Sequence, residues 1–210
     1  MAKDPKRVCV LTSGGIDSTV LVADMLGRGY EVHPLYIRCG FVWERAEQWW
    51  LERLMRALHK PRLKPLAVAD APMAGLIGRH WSLTRHGTPS ASAAWDSVYL
   101  PARNLILLTQ AALLCRDRGI ALVVTALLKG NPFADATDKF MRDMEKVLAA
   151  SIGRKIRIQA PYRRLSKSRV VSRVPGFPLH LTFSCLRPRG RKPCENCSKC
   201  AETAGASQAA

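Results

Sequence analysis

A run of small residues, Thr12-Ser13-Gly14-Gly15-Ile16-Asp17-Ser18-Thr19, follows the apolar segment Val8-Cys9-Val10-Leu11 and leads directly into the apolar-periodic stretch Val20 to Leu26. A strand, a glycine turn and a helix start in immediate succession leave few folds open to the chain. Two glycines let the backbone turn sharply and approach an anion closely, while hydroxyls and the N–H groups of the first helical turn offer donors to phosphate oxygens. The run lacks the Gly-Lys-Ser/Thr ending of the common nucleoside-triphosphate loop, so no lysine is placed in it to reach β and γ phosphates. It is better suited to holding a departing pyrophosphate than to moving a γ-phosphoryl group. A plain strand-to-helix junction capped by Asp17 or Ser18 needs neither the second glycine nor so many flanking hydroxyls.

Strand and helix signals then alternate, which predicts an α/β fold built on an open parallel five-stranded sheet with helices on both faces, Rossmann-like in kind. Strands are expected at Val8 to Leu11, Glu31 to Ile37, Leu66 to Ala69, Ile120 to Ala126 and Ile156 to Gln159. Helices are expected at Ser18 to Arg28, Glu44 to His59, Asn104 to Arg118, Asp135 to Ala150 and Leu165 to Val171. In the second of these, Ala46, Trp50, Leu54, Ala57 and Leu58 recur at helical spacing, which places Trp49 and Trp50 in the core. Ala71 to Leu100 is rich in Gly, Ser, Thr and Pro and reads as irregular or short helical structure. Segments that long inside a compact domain tend to be functional lids. The organisation is an α/β domain over residues 1–178, a cysteine-bearing region over 179–203 and a disordered polar tail over 204–210.

The 210-residue chain is long enough for one domain with a substantial core, and 48% of it is hydrophobic. No apolar run approaches a membrane span, and no signal-peptide segment follows Met1-Ala2-Lys3-Asp4-Pro5-Lys6-Arg7, so a soluble cytoplasmic protein with no membrane contact is expected. Lys and Arg number 33 against 16 Asp and Glu, a formal charge of +17 that suits anionic ligands or a polyanionic partner. The segment from Arg154 to Arg173 also carries Lys155, Arg157, Arg163, Arg164, Lys167 and Arg169 without one acidic residue. It is either a solvated basic face or an RNA contact, and with Tyr162 as its lone aromatic it makes a poor stacking platform.

Four of the seven cysteines, Cys185, Cys194, Cys197 and Cys200, form a C-x8-C-x2-C-x2-C pattern near the C-terminus. In a reducing compartment, thiolates at two-residue gaps converge on one tetrahedral ion from short turns. Four thiolates with no open position point to structural zinc, with an iron–sulfur cluster as the rival. Arg187, Arg189, Arg191, Lys192 and Lys199 would offset the negative charge of such a site. Cys9 and Cys115 lie in apolar patterns and read as core residues, whereas Cys39, just after the second strand, sits where a reactive thiol could serve a ligand site.

Ser-Gly-Gly-x-Asp-Ser after a first strand resembles the signature of the ATP pyrophosphatase (PP-loop) superfamily, of adenine nucleotide alpha hydrolase-like fold. Joined to the four-cysteine pattern, it resembles the 7-cyano-7-deazaguanine synthase (ExsB-like) family. Leu100-Pro101-Ala102-Arg103-Asn104 is similar to that family's Pro-Gly-Arg-Asn element, and Asp135 with Phe140 and Leu165-Ser166-Lys167 extend the likeness across nearly the whole chain. The resemblance implies an ATP-dependent carbon–nitrogen ligase that adenylates 7-carboxy-7-deazaguanine or a related acid. Ammonia nitrogen then replaces the oxygens to give a nitrile, on the queuosine pathway to modified tRNA bases. It further implies that Ser13, Gly14, Gly15, Asp17, Ser18 and Thr19 bind ATP, with Asp17 positioning Mg2+, and that the backbone of Leu35 to Ile37 faces adenine. Arg103 and Lys167 would act with Asp17 in catalysis, on charge developing at the phosphates. Zn2+ would sit on Cys185, Cys194, Cys197 and Cys200, and the protein would form a homodimer. Two segments depart from the family pattern: Cys39-Gly40-Phe41-Val42-Trp43-Glu44 replaces a Tyr-Gly-Gln run followed by His, and Asp135-Ala136-Thr137 replaces Asp-Cys-Arg. The competing readings are a tRNA-modifying PP-loop enzyme, a thiolase or lysidine-type ligase, and a catalytically silent zinc-stabilised binding module.

Overall fold

The computed structural model describes residues 6–208. The elements run β1 (Arg7–Leu11), α1 (Ile16–Gly27), β2 (Glu31–Arg38), α2 (Glu44–Ala57), β3 (Ala67–Asp70), α3 (Ala74–Ile77), α4 (Trp81–Thr84), α5 (Arg103–Arg118), β4 (Leu122–Val124), α6 (Asp138–Ile152), β5 (Arg157–Gln159), α7 (Lys167–Val171) and α8 (Ser198–Gln208), with 3-10 turns at Trp95–Val98, Ala134–Ala136 and Leu179–Leu181. All five strands lie in one sheet of order β3-β2-β1-β4-β5, and every neighbouring pair is parallel. The chain leaves β1 toward β2 on one side and returns to β4 on the other, so the carboxyl ends of β1 and β4 flank the topological switch point. The glycine loop after β1 is therefore delivered to the crevice where such sheets bind ligands.

Strand alternation divides the core in two. Val8, Val10, Val32 and Tyr36 face α1 and α7, while Cys9, Leu35 and Ile37 face α5 and α6. Cys9 and Cys115 are fully buried, as their apolar settings predict. Asp24 on α1 anchors the later chain: it accepts from Arg28 at 3.0 Å, Arg173 at 2.7 Å and the hydroxyl of the fully buried Tyr162 at 3.0 Å. Burial alone would raise its carboxyl, but these donors hold it below the usual range. The cluster fixes α7, and with it Lys167.

Helix α6 begins only at Asp138, later than Asp135, because Thr137 accepts from the Phe140 N–H at 3.1 Å and stands outside the helix as its cap. Trp50 packs against the core while remaining half-buried, whereas Trp49 does not enter it and lies half-buried on the flank of α2. An indole N–H needs an acceptor and its face attracts cations, and the C-terminal segment supplies both. Trp50 Nε1 donates to the Arg191 carbonyl at 2.8 Å and its ring stacks on Phe183, while Arg53 and Arg191 each lie 4.6 Å from the Trp49 ring centroid. Helix α8 continues through residues 204–208, part of the segment expected to be a disordered tail; Ala201, Ala204 and Ala206 are strong helix formers. Residues 209–210 lie outside the described residues.

Ala102, the N-cap of α5, has φ of 54°, a left-handed conformation in which a Cβ is strained. Its side chain is exposed, so packing gains nothing from the methyl. Ala102→Gly should therefore stabilise the protein by roughly 0.5–1 kcal/mol, read as a higher denaturant midpoint at unchanged slope.

Candidate active site

A cleft of about 300 Å³ opens at the carboxyl ends of β1, β2 and β4. Ser13, Gly15, Asp17 and Ser18 form its floor, Leu35, Tyr36 and Ile37 one wall, and Arg103, Lys129, Lys167 and Lys199 supply its cations. An apolar side is made by Trp43, Trp81, Val98, Leu100 and Phe133, with Phe41 and Trp43 stacked at 4.8 Å and Trp43 and Trp81 at 5.7 Å. Trp81, Val98 and Leu100 belong to the segment expected to cover a site, and they line this one.

The loop is rigidified by its own hydroxyls. Ser18 Oγ accepts from the Ser13 N–H and lies 3.1 Å from Ser13 Oγ, and the Gly15 N–H donates to Ser13 Oγ at 3.3 Å. Gly15 precedes helix α1 as an N-cap with no side chain to bond the first turn, so the first-turn N–H groups and the positive end of the helix dipole are directed at the cleft. Two expected loop roles change. Gly14 does not line the cleft, and neither Gly14 nor Gly15 has a positive φ. Gly14 is required by close packing, since a Cβ there would lie 3.1 Å from the carbonyl oxygens of Glu47 and Phe183. Thr19 is fully buried, and its hydroxyl bonds the Gly15 and Ile16 carbonyls instead of facing the cleft.

Asp17 and Lys167 meet at 3.3 Å. Burial raises the Asp17 carboxyl against the pull of Lys167, and its Oδ1 is buried without a protein partner, a donor atom suited to a cation. Arg103 stands across the cleft as the first residue of α5, its guanidinium 5.9 Å from the Phe41 ring and its Nε buried without a protein partner. Asp135 sets that helix start by accepting from the backbone N–H of Asn104 at 3.0 Å and from Asn104 Nδ2 at 3.3 Å. Its neighbours Ala136 and Thr137 serve a buried contact and the α6 cap, not the cleft.

Two buried glutamates on α2 went unnoticed in the sequence. Glu44 accepts from the N–H groups of Cys39 at 2.6 Å and Gly40 at 3.0 Å, which shapes the 39–44 turn. Glu47 accepts from the Tyr36 hydroxyl at 2.9 Å and braces the loop at Gly14. The available signal was a carboxylate among Ala46, Leu51 and Leu54 on the apolar face of an amphipathic helix. Cys39 is 1% exposed, and burial pushes its thiol up to about 11, so it is a core residue and not a thiolate nucleophile.

Beside the cleft, the Sγ atoms of Cys185, Cys194, Cys197 and Cys200 all lie within 4.8 Å of one another, with Cys197 and Cys200 at 3.5 Å and Cys194 and Cys200 at 3.9 Å. Thiolates on one tetrahedral ion at about 2.3 Å stand about 3.8 Å apart, so the donor set fits a metal ion. Backbone N–H groups of Leu186 and Cys194 point at Cys197 and Cys185 sulfurs at 3.4 and 3.2 Å, the outer-shell support that thiolates need.

The family model described as queuosine biosynthesis protein QueC matches residues 7–210. The chain belongs to the QueC family. A QueC relative from Desulfitobacterium hafniense, 7-cyano-7-deazaguanine synthase 1, is 31% identical over 93% of this chain and 89% of its own. The 7-cyano-7-deazaguanine synthase 2 of Sulfurisphaera tokodaii is 28% identical over 94% of this chain, which spans 45% of that protein. The crystal structure of a 4-thiouridine synthetase–RNA complex with bound ATP superposes on 97% of this chain and 50% of its own with a TM-score of 0.53 at 16% identity, a likeness of fold alone. In this QueC chain Phe41 and Trp43 occupy the turn after β2, and Trp43 reaches the cleft.

Burial pushes the Glu47 carboxyl up to about 7 from 4.5, against the pull of Arg103 and the Tyr36 hydroxyl. The native state thus holds this proton more tightly than the unfolded chain. Glu47 carries no penalty below about pH 4.5, and the penalty grows as pH rises through the window to about 7. Its full size at pH 8 is roughly 3 kcal/mol. Unfolding free energies between pH 4.5 and 8 should show that downward slope in the wild type and a flatter one in Glu47→Gln.

Proposed function

We propose that the cleft binds ATP and adenylates the carboxylate of a small planar acid, 7-carboxy-7-deazaguanine or a close relative, which ammonia then converts to a nitrile. The observation that carries this reading is the uncapped Ser13–Ser18 loop at the switch point, facing Lys167 across a cleft whose other side is aromatic. A carboxylate resists ammonia until its oxygen becomes a leaving group. Attack of that oxygen on the α-phosphorus expels pyrophosphate, and ammonia then displaces AMP to leave an amide. A second adenylation, on the amide oxygen, lets AMP depart with that oxygen while nitrogen loses its protons, which yields the nitrile.

In this reading Ser13, Gly15 and Ser18 seat the phosphates with the α1 N–H groups, and Gly14 supports them from behind. Lys167 and Arg103 meet the negative charge that develops on the phosphates. Asp17, through its unpartnered Oδ1, would hold Mg2+, which screens phosphate charge from the attacking carboxylate. The tyrosine-bearing wall at Leu35 to Ile37 receives adenine, and Trp43 and Trp81 offer the planar acid a stacking surface. Zn2+ is the ion we assign to the four cysteines, because four thiolates leave it no open position and only a structural role. The reaction belongs in the cytoplasm, where ATP is at hand and thiols stay reduced. No helix of the described residues is long and apolar enough to cross a membrane.

The tRNA reading draws on the basic segment 154–173, but Arg163, Lys167 and Arg173 there are already ion-paired to Asp138, Asp17 and Asp24. The test incubates the protein with ATP, Mg2+, ammonium and 7-carboxy-7-deazaguanine and follows the nitrile by mass. Nitrile formation supports the proposal. Absence of ATP–pyrophosphate exchange with every candidate acid would leave the silent binding module; tRNA binding that falls steeply with salt would favour RNA as substrate. Sedimentation of the same sample tests the homodimer.

A further inference from the structure

Lys199 lies between two of the four cysteines, Cys197 and Cys200, and its side chain lines the cleft. Three elements converge there. Lys167 from α7 and Lys199 from α8 both reach the Glu202 carboxylate, at 2.5 and 2.6 Å, while Lys167 also meets Asp17 of α1 at 3.3 Å. All four side chains are between 20 and 30% exposed and line the same cleft as Ser13 and Ser18. Lys199 is close enough to Asp17 to act on its carboxyl as well.

We propose that Lys199 is a phosphate-binding residue of the cleft, presented by the cysteine knuckle, and that the Glu202 carboxylate keeps the seat that phosphate oxygens take. This rests on the ATP-dependent reading above. Helix stability does not account for the pair. Lys199 is a cation in the first turn of α8, where the helix dipole opposes it, and a lysine placed N-terminal to its glutamate is the poorer order for a helical ion pair. What the arrangement does achieve is two ammonium groups held on one carboxylate, with two oxygens between two cations. Two oxygens of a phosphate present the same pattern to the same pair, with more negative charge. ATP arriving on the Ser13–Ser18 loop therefore meets Lys167 and Lys199 preassembled, and Glu202 swings off as phosphate replaces it. Because Cys197 and Cys200 bracket Lys199, a metal on those thiolates fixes the turn that aims it.

Calorimetric titration of the metal-loaded protein with MgATP and with magnesium pyrophosphate tests this directly. Lys199→Ala should weaken both ligands about tenfold or more, and Lys199→Arg, which keeps the charge, by no more than about threefold. Glu202→Gln removes the competing carboxylate and should tighten both about threefold. Should Lys199→Ala bind within about twofold of wild type, with only its thermal midpoint lowered, Lys199 is a structural residue and the inference fails alone. Wild type that binds neither ligand would bring down the ATP-dependent reading together with it. If Lys199→Ala does not fold, Lys199→Gln, which keeps most of the side-chain length and loses the charge, carries the same tenfold expectation and the same twofold refutation.

Discussion

Replacing Cys197 with serine is expected to lower the stability of the protein by at least about 3 kcal/mol, and chelation of the metal from wild type to do nearly the same. The reason lies in what the cluster joins. Phe183, Cys185, Leu186, Cys194 and Cys197 pack within the same buried cluster as Cys9, Leu35 and Val123 of the central strands, so the metal site is sewn into the main core. Without an ion, four sulfurs drawn within 4.8 Å of one another keep only weak contacts with each other and with the Leu186 and Cys194 N–H groups, too little to hold the knuckle closed. Guanidinium midpoints of the wild type, the chelated wild type and Cys197→Ser give the measurement. Three equal midpoints would show that the cysteines bind no structural metal. The variant should also lose cleft order, because the turn Cys197 begins carries Lys199 and Glu202.

Gly14→Ala should abolish most of the adenylation activity, by about a hundredfold, while costing roughly 1–3 kcal/mol in stability. The new Cβ would stand 3.0 Å from Glu47 Cγ and 3.1 Å from two backbone oxygens, those of Glu47 and Phe183. A flexible side chain can yield, but two main-chain carbonyls in α2 and the 182–186 segment cannot, so the loop itself must move. Its phosphate donors move with it. Gly15→Ala is the control for packing: its Cβ meets Ser13 Oγ at 3.4 Å and nothing nearer, and its backbone is extended at φ −73°. Its stability should stay within about 0.5 kcal/mol of wild type. ATP–pyrophosphate exchange and denaturation on both variants separate the two effects; equal stabilities for Gly14→Ala and Gly15→Ala would refute the packing account.

Much of the site was legible in particular residues. Ser13, Asp17 and Ser18 point to a ligand loop because small hydroxyl and acidic residues between a strand and a helix have little packing value there, and all three line the cleft. The cysteines announce a metal by spacing alone, and the structure brings their sulfurs together. Lys167 and Arg103 were legible only through family likeness, since nothing local distinguishes one lysine in a basic run from its neighbours. Glu47 was hidden because a glutamate in a helix is ordinarily solvent-facing; only the packed fold buries it against Tyr36 and Gly14. Trp49 misled for the converse reason: large aromatic residues are ordinarily core, but this one lies between Arg53 and Arg191, while Trp50 packs against the core with its indole N–H turned to the C-terminal segment.

The sequence by itself determined the alternation of strands and helices, the glycine and hydroxyl loop and the four-thiolate set, because each is carried by residues within a few positions of one another and depends on local sterics and chemistry. Tertiary structure alone decided the strand order that sets the loop at the switch point. It alone decided that Gly14 is a packing glycine, and that residues nearly two hundred positions apart, Asp17 and Glu202, share one lysine. Those outcomes depend on which distant surfaces are pressed together when the apolar faces of the sheet are covered, and no local pattern encodes that distance.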